Sequence, residues 1–479
     1  GQGTAVGALR SYQADAAGFA LDALSERGGA GLFLDMGLGK TLTSIAVMDV
    51  LHEADPSMRF LVVAPPLIAK YSWPDELAKW SGLHSLDWTV LDGSPRKRLE
   101  KLESGAAVTV VSQGLLKWLD DNVDRWPWRL WVVDELSGYK NPGSVRFRVL
   151  KARRANLNAH PLPSGGRSRT AGPKARVLGL TGTPATKNLL DLWAQMYLLD
   201  GGATLGPTMS GYRDEWFRPT RVIQGPYGPQ AVEWEPRAGA RRAILGAVAP
   251  ECMSMRASDK LPDLPPLVEQ DHWLDMPKAT RRTYSKIRRD LAVRLDDGQE
   301  VTAANAGVLT GKLSQLATGC LYPDPDDPTG VVEHMDDAKL DELTAIRESS
   351  DGQLLVFYRF KDELERMRAR FGSDLHEVHE PDIVARWNRG EVPMLAAHPL
   401  SAKFGLNLQE GGHEVVWTTL PWSLDDYSQA NARLNRSGQR DTVVVHRLVE
   451  RGTVDERILD VLAERASLHD SVMAALRRP

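Results

Sequence analysis

Apolar residues fall in two rhythms along this chain. Over the first 200 residues, the short runs "AGLFLDMG", "FLVVAPP", "AVTVVSQ", "RLWVVDE" and "RVLGLTGTP" are each closed by glycine, proline or a polar residue. Longer segments of helical period, such as "KTLTSIAVMDVLHEA", lie between them. A strand that is apolar on both faces needs cover on both. Such runs alternating with helices therefore predict a parallel α/β sheet.

The rhythm changes after about residue 205. "LPDLPPLVEQ" (261–270) reads as a linker, and "KATRRTYSKIRRDLAVRL" and "AGVLTGKLSQLATG" read as helices. "YPDPDDPTG" (322–330) is a second break. The alternation resumes near residue 336, with "QLLVFYRF", "PMLAAHP", "EVVWTTLP" and "TVVVHRLV" as strands. No repeat at a solenoid period is present. The expected organisation is an α/β lobe over 1–205, a mostly helical insertion and linker over 206–335, and a second α/β lobe over 336–479.

At 479 residues the chain is too long for one core. Its apolar fraction of 42% and charged fraction of 25% are those of a globular protein. Two distant cysteines, Cys252 and Cys320, argue against a disulfide framework or a cysteine zinc site. No apolar run approaches the roughly 18 residues of a membrane span. The opening "GQGTAVGALR" has no apolar signal core, so a cytoplasmic location is expected, in a bacterial or phage-infected host cytosol. A net charge of −4 gives no global argument for nucleic acid. Locally, residues 146–176 hold nine Lys/Arg and no carboxylate, in a stretch whose centre is rich in Pro, Gly and Ser.

Candidate chemistry begins at "DMGLGKT" (35–41), which follows the strand "GLFL" and opens a helix. Gly37, Leu38 and Gly39 would bring backbone amides to phosphates. Lys40 would bridge the β- and γ-phosphates and Thr41 would hold magnesium, with the helix N-terminus adding its dipole. The general motif has another glycine where Leu34 stands. "LWVVDE" then carries Asp134 to a strand end, suited to the same magnesium, with Glu135 placed to polarise the attacking water. "LGLTGTPATKN" ends a third strand in Thr181 and Thr183, which can bond to the carboxylates or to a nucleic-acid backbone. In the second lobe, "YSQANARLNRSGQ" spaces Gln429, Arg433 and Arg436 at i, i+4 and i+7, one face if the segment is helical. "FGLNLQEGG" (404–412), with Gly405, reads as a turn linking nucleotide and DNA contacts.

In this order the motifs "LRSYQ", "DMGLGKT", "DELSGYKNP", "LTGTP", "FGLNL", "QANARLNRSGQ" and "GTVDE" resemble the Swi/Snf-like family of superfamily 2 helicase-type translocases, particularly compact phage-encoded or prokaryotic members. The resemblance spans roughly residues 9 to 460. It implies two RecA-like P-loop NTPase lobes with ATP hydrolysed in the cleft between them. It also implies ATP and magnesium as cofactors and a monomeric motor that tracks along double-stranded DNA. Gln13 matches the glutamine that reads adenine. Arg433 and Arg436 match a pair of which at least one acts as finger, a contribution worth roughly 10³–10⁵-fold in rate.

Two positions depart from the family. Asp35 stands for a usual Glu, and Ser137 for a His thought to couple hydrolysis to DNA engagement, so altered coupling is expected. The basic loop, with Arg167 and Arg169, falls where relatives run near DNA. The helix from Arg281 to Arg294 reads as a solvated basic face. A strand-separating DNA or RNA helicase and a non-catalytic DNA clamp stand as alternatives.

Overall fold

Apolar strands closed by turns do what their composition requires in the computed structural model, which describes residues 8–155, 175–185, 188–225, 228–261, 263–296, 303–324, 327, 330–402 and 406–477. The chain forms two compact units. One is Gly1–Lys260 together with Ser467–Pro479, and the other is Leu261–Ala466.

The strands of the first unit are β1 (Gly29–Leu34), β2 (Phe60–Ala64), β3 (Trp88–Leu91), β4 (Val108–Ser112), β5 (Leu130–Asp134), β6 (Arg176–Thr181), β7 (Phe217–Gly225), β8 (Gly228–Pro236) and β9 (Cys252–Met255). Seven form one parallel sheet in the order β3-β4-β2-β5-β6-β1-β9. β7 and β8 are a separate antiparallel hairpin. Every residue of β1, β2 and β5 is buried, as unbroken apolar runs demand. Helices α1 (Ser11–Arg27) and α2 (Lys40–Ala54) flank β1 in sequence, and α2 is buried from Leu42 to Asp49.

The strands of the second unit are β10 (Leu267–Leu274), β11 (Cys320–Leu321), β12 (Glu333–His334), β13 (Leu354–Phe357), β14 (Leu375–Glu377), β15 (Met394–Ala397), β16 (Glu414–Trp417) and β17 (Val443–Glu450). Six of them form a parallel sheet in the order β10-β17-β16-β13-β15-β14. β11 and β12 make a short antiparallel pair. Two parallel, helix-covered sheets are the two RecA-like lobes expected from the sequence.

Residues 206–335 divide between the units at Lys260/Leu261. They also hold six strands among the described residues, where the sequence pattern predicts a mostly helical insertion. β9 pairs with β1 and β10 pairs with β17, so this segment completes both main sheets. β10 begins at Leu267, inside the stretch read as linker. It is an edge strand, and its residues "VEQD" face partly outward, which hides the strand pattern. The last helix, Val454–Leu476, begins in the second unit and ends in the first. There Val472, Met473 and Leu476 enter the core, and Ser254 Oγ donates to the Met473 carbonyl.

Candidate nucleotide site

Strand order decides what meets at the site. β6 lies between β5 and β1, with Leu180 opposite Asp134 and Thr181 opposite Phe33. Three parallel strands therefore end side by side. β1 runs into the glycine-rich turn, β6 into Thr181–Gly182–Thr183, and β5 into Asp134–Glu135. In parallel α/β sheets ligands bind at this carboxyl edge.

The glycine-rich turn is held from both sides. Gly37 and Gly39 adopt φ of 82° and 74°, left-handed values that a side chain disfavours. A Cβ on Gly39 would lie 2.2 Å from Gln13 Nε2. Gln13 is buried, and its amide spans two elements. Its Nε2 donates to the Leu38 carbonyl at 3.2 Å, and its Oε1 accepts from the Arg10 amide at 2.9 Å. Asp35 accepts from the Ala257 amide at 3.0 Å and pairs with Arg256 at 3.4 Å. The shorter acid at this position thus anchors the turn to the segment after β9. Lys40, the first residue of α2, donates from Nζ to the Leu34 carbonyl at 2.7 Å. A Cβ on Gly182 would stand 3.8 Å from that same Nζ, so the β6 turn abuts the lysine. Thr41 follows in the first turn of α2.

Asp134 is buried, and both its oxygens accept a hydrogen bond. Trp73 Nε1 donates to Oδ2 at 2.9 Å, and the Glu135 amide donates to Oδ1 at 2.9 Å. Burial pushes its carboxyl above the usual range, opposed by the Trp73 bond and the charge of Lys40. Glu135 has φ of 54°, a left-handed conformation uncommon outside glycine that marks strain at functional sites. Ser137 is buried in the short turn Leu136–Tyr139 that follows. Beside it the fully buried Tyr139 has its hydroxyl pushed well above the ordinary range by desolvation, and the Arg146 guanidinium lies 5.5 Å from its ring. Thr181 and Thr183 are both buried, and Thr181 Oγ1 accepts from the Thr183 amide at 3.1 Å.

In the second unit Gln429 lies in the helix Leu424–Asn431 and donates to Asp425 at 3.1 Å. Arg433 and Arg436 do not share its helical face. The helix stops at Asn431, whose Oδ1 accepts from Trp417 Nε1 at 2.9 Å, and the chain tightens into turns. The Arg433 and Leu434 amides bond three residues back, to Ala430 and Asn431. Arg433 O instead accepts from the Leu408 amide at 3.3 Å, and Arg436 Nη1 donates to Asn407 Oδ1. The arginines are thus packed onto the "LNL" turn. Gly405, Arg167 and Arg169 lie outside the described residues.

Sequence reading missed Trp73. It opens helix α3 (Trp73–Lys79) and is fully buried. A tryptophan just after the strand-ending "APP" was the available signal, but nothing local tied it to a carboxylate 61 positions away.

A phosphate-loop turn, a strand-end carboxylate and a threonine turn on adjacent strands of a RecA-like sheet define the class: a P-loop ATPase with a second lobe of the same kind. The SNF2-related domain model matches residues 12–160. Putative protein p41 of Acyrthosiphon pisum secondary endosymbiont phage 1 is 31% identical over 459 residues, covering 92% of this chain and 94% of the phage protein. An uncharacterized ATP-dependent helicase of Mycoplasma pneumoniae is 24% identical over 481 residues, covering 96% of this chain and 42% of that longer protein. Among solved structures, the Sulfolobus solfataricus SWI2/SNF2 ATPase core in complex with dsDNA aligns over 97% of this chain and 92% of that one, at 21% identity and a TM-score of 0.44. The chain belongs to the Swi/Snf-like family of superfamily 2, and it is a DNA-dependent ATPase of that class. Among the described residues no helix is long and apolar enough to cross a membrane.

Proposed function

We propose that this protein is a monomeric motor that hydrolyses ATP on the β1–α2 turn and uses the cycle to move along double-stranded DNA without fully separating its strands. The observation that carries the reading is the meeting of Lys40, Gly182 and Asp134 at the carboxyl edge of three adjacent strands. Gly37, Leu38 and Gly39 present amides to the phosphates, Lys40 bridges them, and Gln13 takes the adenine. Glu135 orients and polarises the attacking water. Ser137, Thr181 and Thr183 link this chemistry to the DNA side. The roles proposed for Gln429, Arg433 and Arg436 are those of a nucleotide-contacting motif, with at least one of the arginines acting as finger.

The Asp134 surroundings suit magnesium. Its two hydrogen-bond donors are neutral, and burial disfavours its charge more than nearby Lys40 favours it, so a bound cation would stabilise the carboxylate. Thr41 and Asp134 would hold the ion, which when bound neutralises charge on the β- and γ-phosphates.

The test is steady-state ATPase activity with no nucleic acid, single-stranded DNA, duplex DNA and duplex RNA, at one salt concentration because phosphate contacts are salt-sensitive. Strong stimulation by duplex DNA, without displacement of a strand in an overhang assay, is expected. Strand displacement would assign the protein as an unwinding helicase instead. Inactivity under every condition would leave a DNA clamp.

A further inference from the structure

The helix Lys278–Asp296 of the second unit has one face built in and one face of bare positive charge. Its inner face is fixed at several points. Thr280 Oγ1 donates to Asp336 at 2.5 Å, the Tyr284 hydroxyl accepts from the Val454 amide at 2.8 Å, and Ile287 packs on the core. Arg281 is used internally, donating to the Arg451 and Gly452 carbonyls at 2.6 and 3.0 Å.

The outer face differs. Lys278, Arg282, Lys286 and Arg289 are all exposed. At 100° per residue they fall within about 80° of one another around the helix. Among the described residues none of the four makes an ion pair or a hydrogen bond. On another helix of the same unit the surface cations are paired. In the helix Lys361–Phe371, Arg366, Arg368 and Arg370 all meet carboxylates. What sets this helix apart is that four such cations gather on one face of a firmly anchored element, a concentrated basic stripe in a chain of net charge −4.

We infer that this stripe is a second contact for the DNA backbone, binding phosphates outside the nucleotide-bearing motifs. The inference rests on the duplex-DNA reading above. From Lys278 to Arg289 the helix rises about 16 Å, matching roughly five base pairs of duplex at 3.4 Å each. Four cations at one-turn spacing fit a line of phosphates. Spaced along a line of phosphates, they contact the backbone and not the base edges, so the contact is independent of sequence.

The experiment uses the full chain and its Lys278→Ala/Arg282→Ala/Lys286→Ala/Arg289→Ala variant. Alanine keeps helix propensity high at exposed sites, so the helix persists. Duplex DNA affinity is measured by anisotropy across a salt series. Each lost phosphate contact lowers the slope of log K against log salt by about 0.9, so the quadruple variant should lose roughly 3 to 4 units of slope and bind at least about tenfold more weakly at 0.1 M salt. ATPase activity without DNA should be unchanged. The charge-preserving set Lys278→Arg/Arg282→Lys/Lys286→Arg/Arg289→Lys should keep the parent slope. Superimposable slopes for parent and quadruple variant would overturn this inference alone. An unchanged DNA slope with lost binding to polyglutamate would overturn it in favour of an acidic protein partner. A parent chain that does not bind duplex DNA would overturn both this inference and the reading on which it rests.

Discussion

The indole N–H of Trp73 donates to the carboxylate of Asp134 at 2.9 Å, joining the first residue of α3 to the last residue of β5. Both partners are buried, so the bond exchanges with no water and fixes the carboxylate's rotation. The donor is neutral. It orients the acid without cancelling the charge that a magnesium ion would need. Trp73→Phe removes the N–H and also shrinks a fully buried side chain, so the stability lost to the vacated space is read separately from the thermal midpoint. A hydrogen bond to a charged group is worth roughly 1.5–3 kcal/mol, so kcat should fall about ten- to a hundredfold. The magnesium concentration for half-maximal activity should rise. Manganese binding followed by electron paramagnetic resonance in the presence of ADP checks the same point without turnover. Unaltered manganese affinity would mean that the indole serves packing alone.

Lys40→Ala and Glu135→Gln separate hydrolysis from folding. Glu135 occupies a left-handed backbone position, and Gln keeps its length and shape there, so the strain is unchanged. Turnover should drop by at least about 10² in either variant, the scale of a lost catalytic group. Duplex DNA binding and the thermal midpoint of the Glu135 variant should stay close to the parent's. A Glu135→Gln chain that turns over ATP at the parent rate would remove the water-polarising role.

Gly39 tests the turn itself. Alanine there meets two separate costs: a φ of 74° and a Cβ placed 2.2 Å from Gln13 Nε2. The backbone part alone is about 1–2 kcal/mol. Gly39→Ala should therefore lower stability and weaken nucleotide binding. Adding Gln13→Ala should recover the steric part, so that the double variant is destabilised by less than the sum of the two single ones in a double-mutant cycle by chemical denaturation. Strict additivity of the two substitutions would contradict the crowding.

The sheets were legible because their strands are unbroken apolar runs, and the runs read as β1, β2, β4, β5, β6, β13, β15, β16 and β17 are strands. β3 and β9 were not. "WTVL" is short and half-buried, and "CMSM" is short and lies far along the chain from its partner β1. The nucleotide turn could be read because its residues are contiguous. What joins Trp73 to Asp134, or Gln13 to Leu38, is tertiary and leaves no periodicity in sequence. The i, i+4, i+7 spacing of Gln429, Arg433 and Arg436 misled for a related reason. The Trp417–Asn431 bond accompanies a helix end that local propensity does not mark.

Two buried acids make stability fall as pH rises. Glu450 is fully buried in the second unit, and neither of its side-chain oxygens has a hydrogen-bond partner. Desolvation pushes it up to about 8, against the opposing charge of Lys339. Glu251, in the first unit, is pushed up to about 7, again by burial first and by Asp200 beside it. Unfolded, each ionises near 4.5. Between that value and the folded one, the folded chain holds a proton that the unfolded chain has released. Stability therefore falls with pH by at most about 1.4 kcal/mol per pH unit for each group. Glu450→Gln keeps the neutral shape at every pH, so its advantage over the parent should grow from pH 5 to pH 8 and then level off. Glu251→Gln should level off about one pH unit earlier. The readout is the thermal midpoint of each variant minus that of the parent across this range, with each substitution acting on its own transition if the units melt separately. A difference independent of pH would mean that the carboxyls ionise in the folded chain as they do in the unfolded one.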